Sequence, residues 1–341
     1  MKKLLIITQK VDREDSVLGF FHGWISRLAE EFKQITVICL REGRHSLPAN
    51  VSVLSLGKEA GESKLKYLLR FYQYIWRERK NYEAVFVHMN KIYVILGWAW
   101  WRLGRKKICL WYNHKQGGWL AAWAIWLADK VFYTSPFSFA ARFSKAKKMP
   151  AGIDTRQFKR REGAPREKNS LLYLGRIAPI KNIDTLIDAA KILDEQGADF
   201  LLKIIGDADD QDYLRELKAQ AKELREKGKI KFLPGVPHNQ TPPLYNQSEV
   251  FINLTNSGSL DKTTLEAMAC QALVLTSNRS YADVLPLELL FEERNASDLA
   301  EKIKNIFNRG DKEELRHNLN AWVDKNHSLD LTVASLNKNL Q

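Results

Sequence analysis

Short runs of consecutive apolar and β-branched residues alternate along this chain with longer segments in which apolar positions recur every three or four residues. The first kind of run fits a buried strand and the second an amphipathic helix. In the first half the pattern predicts strands at Leu4–Thr8, Ile35–Leu40, Val51–Leu56, Ala84–His88, Ile108–Tyr112 and Lys130–Tyr133. Helices fall between them, notably Phe20–Phe32 and Lys64–Arg79. A second series begins at Leu171–Gly175, continues with a helix over Ile183–Gln196 and runs on through Asn253 to Thr276. Helical patterns at Ala296–Phe307, Lys312–Val323 and Leu329–Leu340 close the chain. Strands that alternate with helices predict parallel sheets with crossover helices, an α/β fold. The polar stretch Asp154–Asn169, with Gly163 and Pro165, is the best boundary, and 341 residues suffice for two cores. The chain has no short internal repeat and no low-complexity tail.

Composition changes this picture only through charge. Residues 1–150 hold 26 Lys plus Arg against 11 Asp plus Glu, while residues 151–341 hold 27 against 29. The whole net charge of +13 therefore resides in the first half, which also carries nine of the ten tryptophans. Basic residues mixed with indoles suit an anionic lipid surface, with nucleic acid as the other obvious anionic class. Cys39, Cys109 and Cys270 are scattered without CxxC spacing and read as buried thiols of a reducing compartment. Met1-Lys2-Lys3 leads straight into the first strand, so no secretory signal is expected. The apolar runs Ile92–Trp101 and Trp119–Ala128 are too short to span a bilayer.

The candidate chemistry sits in the second half. Arg176 follows the strand Leu171–Gly175, at the sheet edge where open α/β folds bind ligands. Pro179 keeps Ala178 out of the helical region, so Lys181 can turn back to the same edge before the next helix. Two fixed cations suit a diphosphate that gains charge as its bond to a sugar breaks. Glu266 falls in the first turns of the helix after the loop 257–262, where its carboxylate can accept from neighbouring ribose hydroxyls. The acidic run Asp207-Ala208-Asp209-Asp210 follows Gly206 and reads as a turn that caps a helix beginning near Gln211, not as a metal site.

Taken in order, GRIAPIKNIDTLIDAAKIL, LLKIIGDAD, IKFLPGVP, LYNQSEVFIN and TTLEAMACQALVLTS resemble the retaining glycosyltransferases of family four. In the first half the resemblance is looser and rests on VLGFFHGWISRLAEEF, LWYNHK and MPAGIDTRQF. It implies the GT-B architecture of two facing Rossmann-like domains: residues 1–160 for the acceptor, 161–328 for the nucleotide sugar, and 329–341 as a helix crossing back to the first domain. It implies donor contacts from Gly19, Arg176, Lys181, Gly206, Val236, Asp261, Lys262, Thr263 and Glu266, with Arg176, Lys181 and His114 as the catalytic set. Relatives carry a histidine at the position of His114 that faces the transferred sugar. They let backbone groups in the segment matching Pro234–Pro237 read the base, which leaves UDP and GDP donors both open.

The departures from the pattern are as informative. Relatives carry a second acid eight positions before the ribose-binding one, and Gly258 stands there instead. Asp261 is then either a replacement toward sugar hydroxyls or a helix N-cap, while the amides of 261–264 can still meet phosphate. Phe20 replaces the second glycine of the loop begun by Gly19. Asp15, with Asp12, either orients an acceptor hydroxyl or makes an ordinary turn, and His88 either lines the acceptor pocket or satisfies a backbone carbonyl.

The resulting expectation is a metal-independent, retaining transferase that uses no cofactor and takes a UDP- or GDP-linked donor to a glycan or lipid-linked acceptor. The expected place is the cytoplasm, peripheral on the inner face of an anionic membrane, with Trp98, Trp100, Trp101, Arg102, Arg105, Lys106 and Lys107 as the contact; no nucleic acid partner is expected. The rival classes are a sugar-nucleotide epimerase or phosphorylase of the same architecture, and a basic membrane- or nucleic-acid-binding module that has lost turnover.

Overall fold

The computed structural model describes residues 2–258 and 260–340. The chain divides into two compact units, Met1–Gly152 with Leu329–Gln341, and Ile153–Ser328. The first crossing falls at Gly152, ahead of the expected boundary at residue 160. The polar stretch after it packs entirely within the second unit: the Arg160 guanidinium donates to the Asn246 carbonyl (2.8 Å), the Arg161 amide to the Asn246 side chain (2.8 Å), and the Glu167 amide to the Gln247 carbonyl (2.8 Å). Polar composition marks a loop; it does not say which core the loop rests on.

In the first unit the elements are β1 (Lys3–Val11), α1 (Phe20–Glu31), β2 (Gln34–Glu42), β3 (Val51–Ser55), α2 (Lys64–Arg77), β4 (Ala84–His88), α3 (Ile92–Leu103), β5 (Lys107–Trp111), α4 (Trp119–Leu127), β6 (Lys130–Tyr133) and β7 (Ala146–Lys148). The strands form one sheet of order β3-β2-β1-β4-β5-β6-β7, parallel throughout. Each expected strand is present; β7, Ala-Lys-Lys at the sheet edge, has no apolar signal and was not expected. The two apolar runs are α3 and α4.

Two cores sandwich this sheet. On one face, Phe21, Trp24, Ile25 and Leu28 of α1 pack with alternate strand residues such as Leu4, Ile6 and Phe86. On the other face, Phe71 and Ile75 of α2, Val94 and Trp101 of α3, and Ala124 and Ile125 of α4 pack with Leu5, Ile7 and Val85. Both cores alternate along β1, as a sheet covered on both sides requires.

The second unit contains β8 (Ser170–Leu174), α5 (Ile183–Glu195), β9 (Leu201–Ile205), α6 (Gln211–Gln220), α7 (Lys222–Glu226), β10 (Ile230–Leu233), α8 (Pro242–Gln247), β11 (Val250–Asn253), α9 (Lys262–Ala269), β12 (Leu273–Thr276), α10 (Ala296–Phe307) and α11 (Lys312–His327). Its sheet has the order β10-β9-β8-β11-β12, again all parallel. The strand order reverses between β8 and β11, and the carboxyl ends of strands at such a reversal are where open α/β sheets bind ligands. Ser328, with extended backbone (φ −61°, ψ 152°), ends α11. The last helix, α12 (Leu329–Leu340), then packs on α1 in the first unit, where Arg27 pairs with Asp330 at 2.5 Å. Among the described residues no helix is long and apolar enough to cross a membrane.

Candidate functional site

The loop leaving β8 is shaped by its own residues. Ala178 is extended (φ −152°, ψ 152°), as the following proline demands, and Pro179–Lys181 forms a single 3-10 turn. Asn182 then takes the left-handed conformation (φ 48°) and starts α5. Its buried amide donates to the Leu254 carbonyl (3.2 Å) and the Asn256 side chain (2.6 Å), which ties this loop to the one leaving β11 across the reversal point. Lys181 is thereby held over the second loop, where its ammonium donates to Thr255 Oγ1 (2.8 Å) and Asp261 Oδ2 (3.1 Å).

Asp261 occupies the residue before α9, yet its side chain does not cap the helix. Its Oδ2 also accepts from Thr255 Oγ1 (2.8 Å) and Asn253 Nδ2 (3.1 Å). Burial works against the charged carboxylate, but Lys181 and these donors overcome it and hold the Asp261 pKa down to about 2. The N-cap alternative is therefore replaced by a partly buried ion pair, and the first-turn amides of α9 receive no side-chain cap. Lys262 opens α9 in surroundings dense enough that desolvation pushes its ammonium down to about 7, against the pull of Glu266.

The loop leaving β9 completes this edge. A Cβ on Gly206 would lie 1.8 Å from the Gly175 carbonyl oxygen, so only glycine lets the two loops touch there. The Ile177 amide donates to the Asp207 carbonyl (2.9 Å), and the Gly235 amide donates to Asp207 Oδ1 (2.9 Å). Arg176 is half exposed and pairs with Asp209 at 3.1 Å. Asp210 accepts from the amides of Asp212 and Tyr213, the helix cap expected of this acidic run.

Glu266 is buried in the second turn of α9, and both of its oxygens are held. His238 Nε2 lies 2.8 Å from Oε1, and the Tyr245 hydroxyl donates to Oε2 at 3.2 Å. A carboxylate offers about four lone-pair sites, so each oxygen keeps the capacity for one more donor. Val236 is partly buried, two residues before His238 on the same loop. Thr263 donates its hydroxyl to Asp261 Oδ1 (3.2 Å). Gly258 has φ 144°, a conformation that disfavours any side chain at the position where relatives carry an acid.

In the first unit, Gly19 is the residue before α1, with right-handed helical backbone (φ −55°). Asp15 Oδ1 accepts from the amides of Val17 and Leu18, and Oδ2 from Lys10 at 2.5 Å. Burial opposes the charge, but the Lys10 bond and the two amides lower the Asp15 pKa. Both oxygens thus serve the turn that feeds α1. His88 ends β4 beside the β1/β4 reversal, stacked on Phe21 at 4.0 Å, with Nδ1 3.5 Å from Thr8 Oγ1. His114 lies beyond the end of β5, against Tyr112 at 5.3 Å. Partial burial of the ring, and then the Lys91 cation, hold its imidazole below the ordinary value.

The expected membrane patch is corrected in its residues. Trp101 is fully buried, packed over Gly97, and the Lys106 ammonium donates to the Tyr82 carbonyl at 2.6 Å. Trp100 is the indole of that segment that faces solvent most openly.

Sequence reasoning missed His238, Tyr245, Asn253, Thr255 and Asn182. None belongs to a periodic pattern, and each gains a role only when three loops meet at one sheet edge. The spacing of His238 behind Gly235 and Val236 was the available signal.

Residues 154–322 match the profile of the family described as "Glycosyl transferases group 1". The second unit thus carries a domain of this family. Spore coat protein SA of Bacillus subtilis is 24% identical to it over 213 residues, a match that spans 55% of the chain and 56% of the relative. The shared stretch is thus little more than half of the curated relative. Among solved structures, Anabaena HepE in complex with UDP and glucose superposes with a TM-score of 0.78 at 17% identity, covering 100% of this chain and 99% of that one. Sucrose-phosphate synthase from Thermosynechococcus elongatus does so with a TM-score of 0.78 at 16% identity, covering 99% and 98%. At these identities the likeness concerns the fold, which is GT-B, the expected α/β class.

Proposed function

We propose that the chain transfers a sugar from a nucleoside-diphosphate sugar to an acceptor hydroxyl, with retention of configuration and without a metal ion. What supports this reading is the β8/β11 reversal, where Lys181 on the β8 loop pairs with Asp261 at the start of α9, with Arg176 earlier on the same loop and the Glu266 carboxylate one turn further along α9. Glu266, oriented by His238 and Tyr245, accepts the ribose hydroxyls. Arg176 and Lys181 hold the diphosphate, and incoming phosphate oxygens take the place of Asp209 beside Arg176. Uridine is the first base to test, because the similar HepE structure holds UDP and glucose; guanosine is the alternative.

In the proposed step the bond from the anomeric carbon to the phosphate oxygen breaks as the bond to the acceptor oxygen forms on the same face. The acceptor proton passes to the departing phosphate. The two cations act on the charge that develops there, where such groups have their largest effect. His114, neutral near pH 7, donates a hydrogen bond to the transferred sugar. Asp261 stands in for the acid absent at Gly258, and Lys181 keeps it ionised.

The proposed acceptor is a glycan or lipid-linked sugar at the inner face of a membrane, with the chain itself in the cytoplasm. Free, buried Cys39 and Cys109, whose thiols burial pushes up to about 12, agree with a reducing compartment.

Incubation of the full chain with a panel of UDP- and GDP-sugars, with and without chelator, tests the reading. Release of nucleoside diphosphate that withstands chelation is expected, with an α-linked donor giving an α-linked product by NMR. Nucleotide binding without release from any donor favours the second reading, a binding module, for which the glycine-only backbone at Gly258 speaks.

A further inference from the structure

The helices α2, α3 and α4 all bury their inner faces in the same core, so their outer faces form one side of the first unit. That side is apolar to an extent that solvent alone does not explain. On α4, Trp119, Trp123 and Trp126 are 73%, 45% and 70% exposed, and the spacing of four and three puts them on one helical stripe. The segment Trp119–Ala128 contains no charged residue at all. On α3, Trp100 and Leu103 face outward, and the Trp100 ring meets that of Trp76 on α2 at 5.3 Å. Leu65 and Leu69 extend the stripe of Trp76 along α2. Scattered apolar side chains on a surface are ordinary; exposed indoles paired on α4 (Trp119 with Trp123) and between α2 and α3 (Trp76 with Trp100) mark a contact.

Charge names the partner. Residues 64–148, which contain all three helices, hold 17 Lys plus Arg against three Asp plus Glu. Two of those acids are already neutralised, Glu78 by Arg77 (2.9 Å) and Asp129 by Arg102 (3.0 Å). The Arg79 guanidinium lies over the Trp76 ring at 4.1 Å, a cation placed beside an indole as at a headgroup boundary. An aqueous protein partner with an apolar patch would leave this excess unmatched; an anionic bilayer matches both features, since indoles settle among headgroups and cations draw in acidic lipid.

We infer that the outer face of α2, α3 and α4 seats the first unit on an anionic membrane, with the α4 tryptophans as the inserted residues. This deepens the proposal of a membrane-bound acceptor, but its test is independent of turnover. The full chain is sedimented with neutral phosphatidylcholine vesicles and with vesicles containing phosphatidylglycerol, at low and high salt. Variants are W119S/W123S/W126S and, separately, R79Q/R105Q. UDP binding, measured by calorimetry, checks that the second unit is intact, and circular dichroism checks the fold of the first.

The parent is expected to bind anionic vesicles roughly tenfold or more better than neutral ones, and salt is expected to weaken binding. The triple variant should lose roughly tenfold or more with UDP affinity unchanged, and brominated lipid should quench parent fluorescence more than that of the variant. Equal parent binding to both lipids, or parent-like binding by the triple variant, overturns the inference. So does a dimer in sedimentation velocity that the triple variant abolishes without any vesicle binding by the parent, since a second copy then covers the face. Absence of turnover with vesicle binding intact would instead count against the transferase reading alone.

Discussion

The two units are built on the same parallel-sheet plan and use charge in opposite ways. In the second unit the named cations are each paired with an acid: Arg176 with Asp209, Lys181 with Asp261, and both Lys227 and Lys229 with Asp194. Its exposed large apolar side chains, Ile180, Leu233 and Leu287, are isolated. In the first unit cations outnumber acids, and exposed apolar residues gather on one set of helices. On the proposed reading, matched charge suits a site that exchanges one anion for another, whereas unmatched charge across helix faces suits an attraction without a pocket. The proposal thus assigns recognition of a small ligand to one unit and attachment to an extended surface to the other.

The strongest test removes a matched cation. Arg176→Ala and Lys181→Ala should each lower turnover by about a hundredfold to a thousandfold, the usual cost of losing a charge-stabilising group. Because Lys181→Ala also strands the partly buried carboxylate of Asp261, the pair Lys181→Met with Asp261→Asn separates lost catalysis from lost stability. Near-normal steady-state turnover in both single variants would break the assignment.

Glu266→Gln comes next. It removes a charged acceptor worth about 1.5–3 kcal/mol, so the free nucleoside diphosphate should bind about tenfold to a hundredfold more weakly. Calorimetry with the bare nucleotide reads this directly; an unchanged dissociation constant makes Glu266 a scaffold for His238 and Tyr245.

Restoring the acid with Gly258→Glu is expected to cost about 1–3 kcal/mol, because φ 144° is strained for any side chain, and to lower the melting temperature by several degrees. Donor turnover should not rise. A variant with unaltered melting and faster turnover would show that this loop tolerates the acid its relatives carry.

A smaller effect concerns protons. With its folded pKa depressed to about 7, Lys262 is mostly neutral at pH 8, and a bound phosphate should raise that pKa. Binding at pH 8 should therefore take up a fraction of a proton, and affinity should fall as pH rises through 7. Calorimetry in buffers of differing ionisation enthalpy measures the uptake, which Lys262→Met should abolish.

The smallest expected change is none. Neutralising Arg79 and Arg105 in the first unit should leave nucleotide affinity within error, and a shift beyond about twofold would mean that the two uses of charge are not separable.

The sheets were legible in the sequence because buried parallel strands are short unbroken apolar runs, such as Ala84–His88 and Leu171–Leu174, bounded by helical periods. The cations were legible because Gly175, Pro179 and the following helix fix where Arg176 and Lys181 emerge. The ion pair of Asp261 was not. It depends on Asn253 and Thr255, which present ordinary polar side chains until the β8 and β11 loops are tied by Asn182. The orientation of the tryptophans was equally hidden, since α3 and α4 are apolar around most of their circumference and periodicity cannot say which indole, Trp100 or Trp101, lies inside.

Ile153 and Ser328, the first and last residues of the second unit, face each other in a parallel bridge, and the Ile153 amide donates to the His327 carbonyl at 2.8 Å. In terms of the gene, the second unit is an uninterrupted cassette whose entry and exit emerge side by side. Codons 153–328 can be moved as one reading frame, and Gly152 can be spliced to Leu329 to keep the last helix with the unit it packs on. If the second unit holds the donor as proposed, exchange of this cassette between relatives changes donor choice while the first unit is inherited intact.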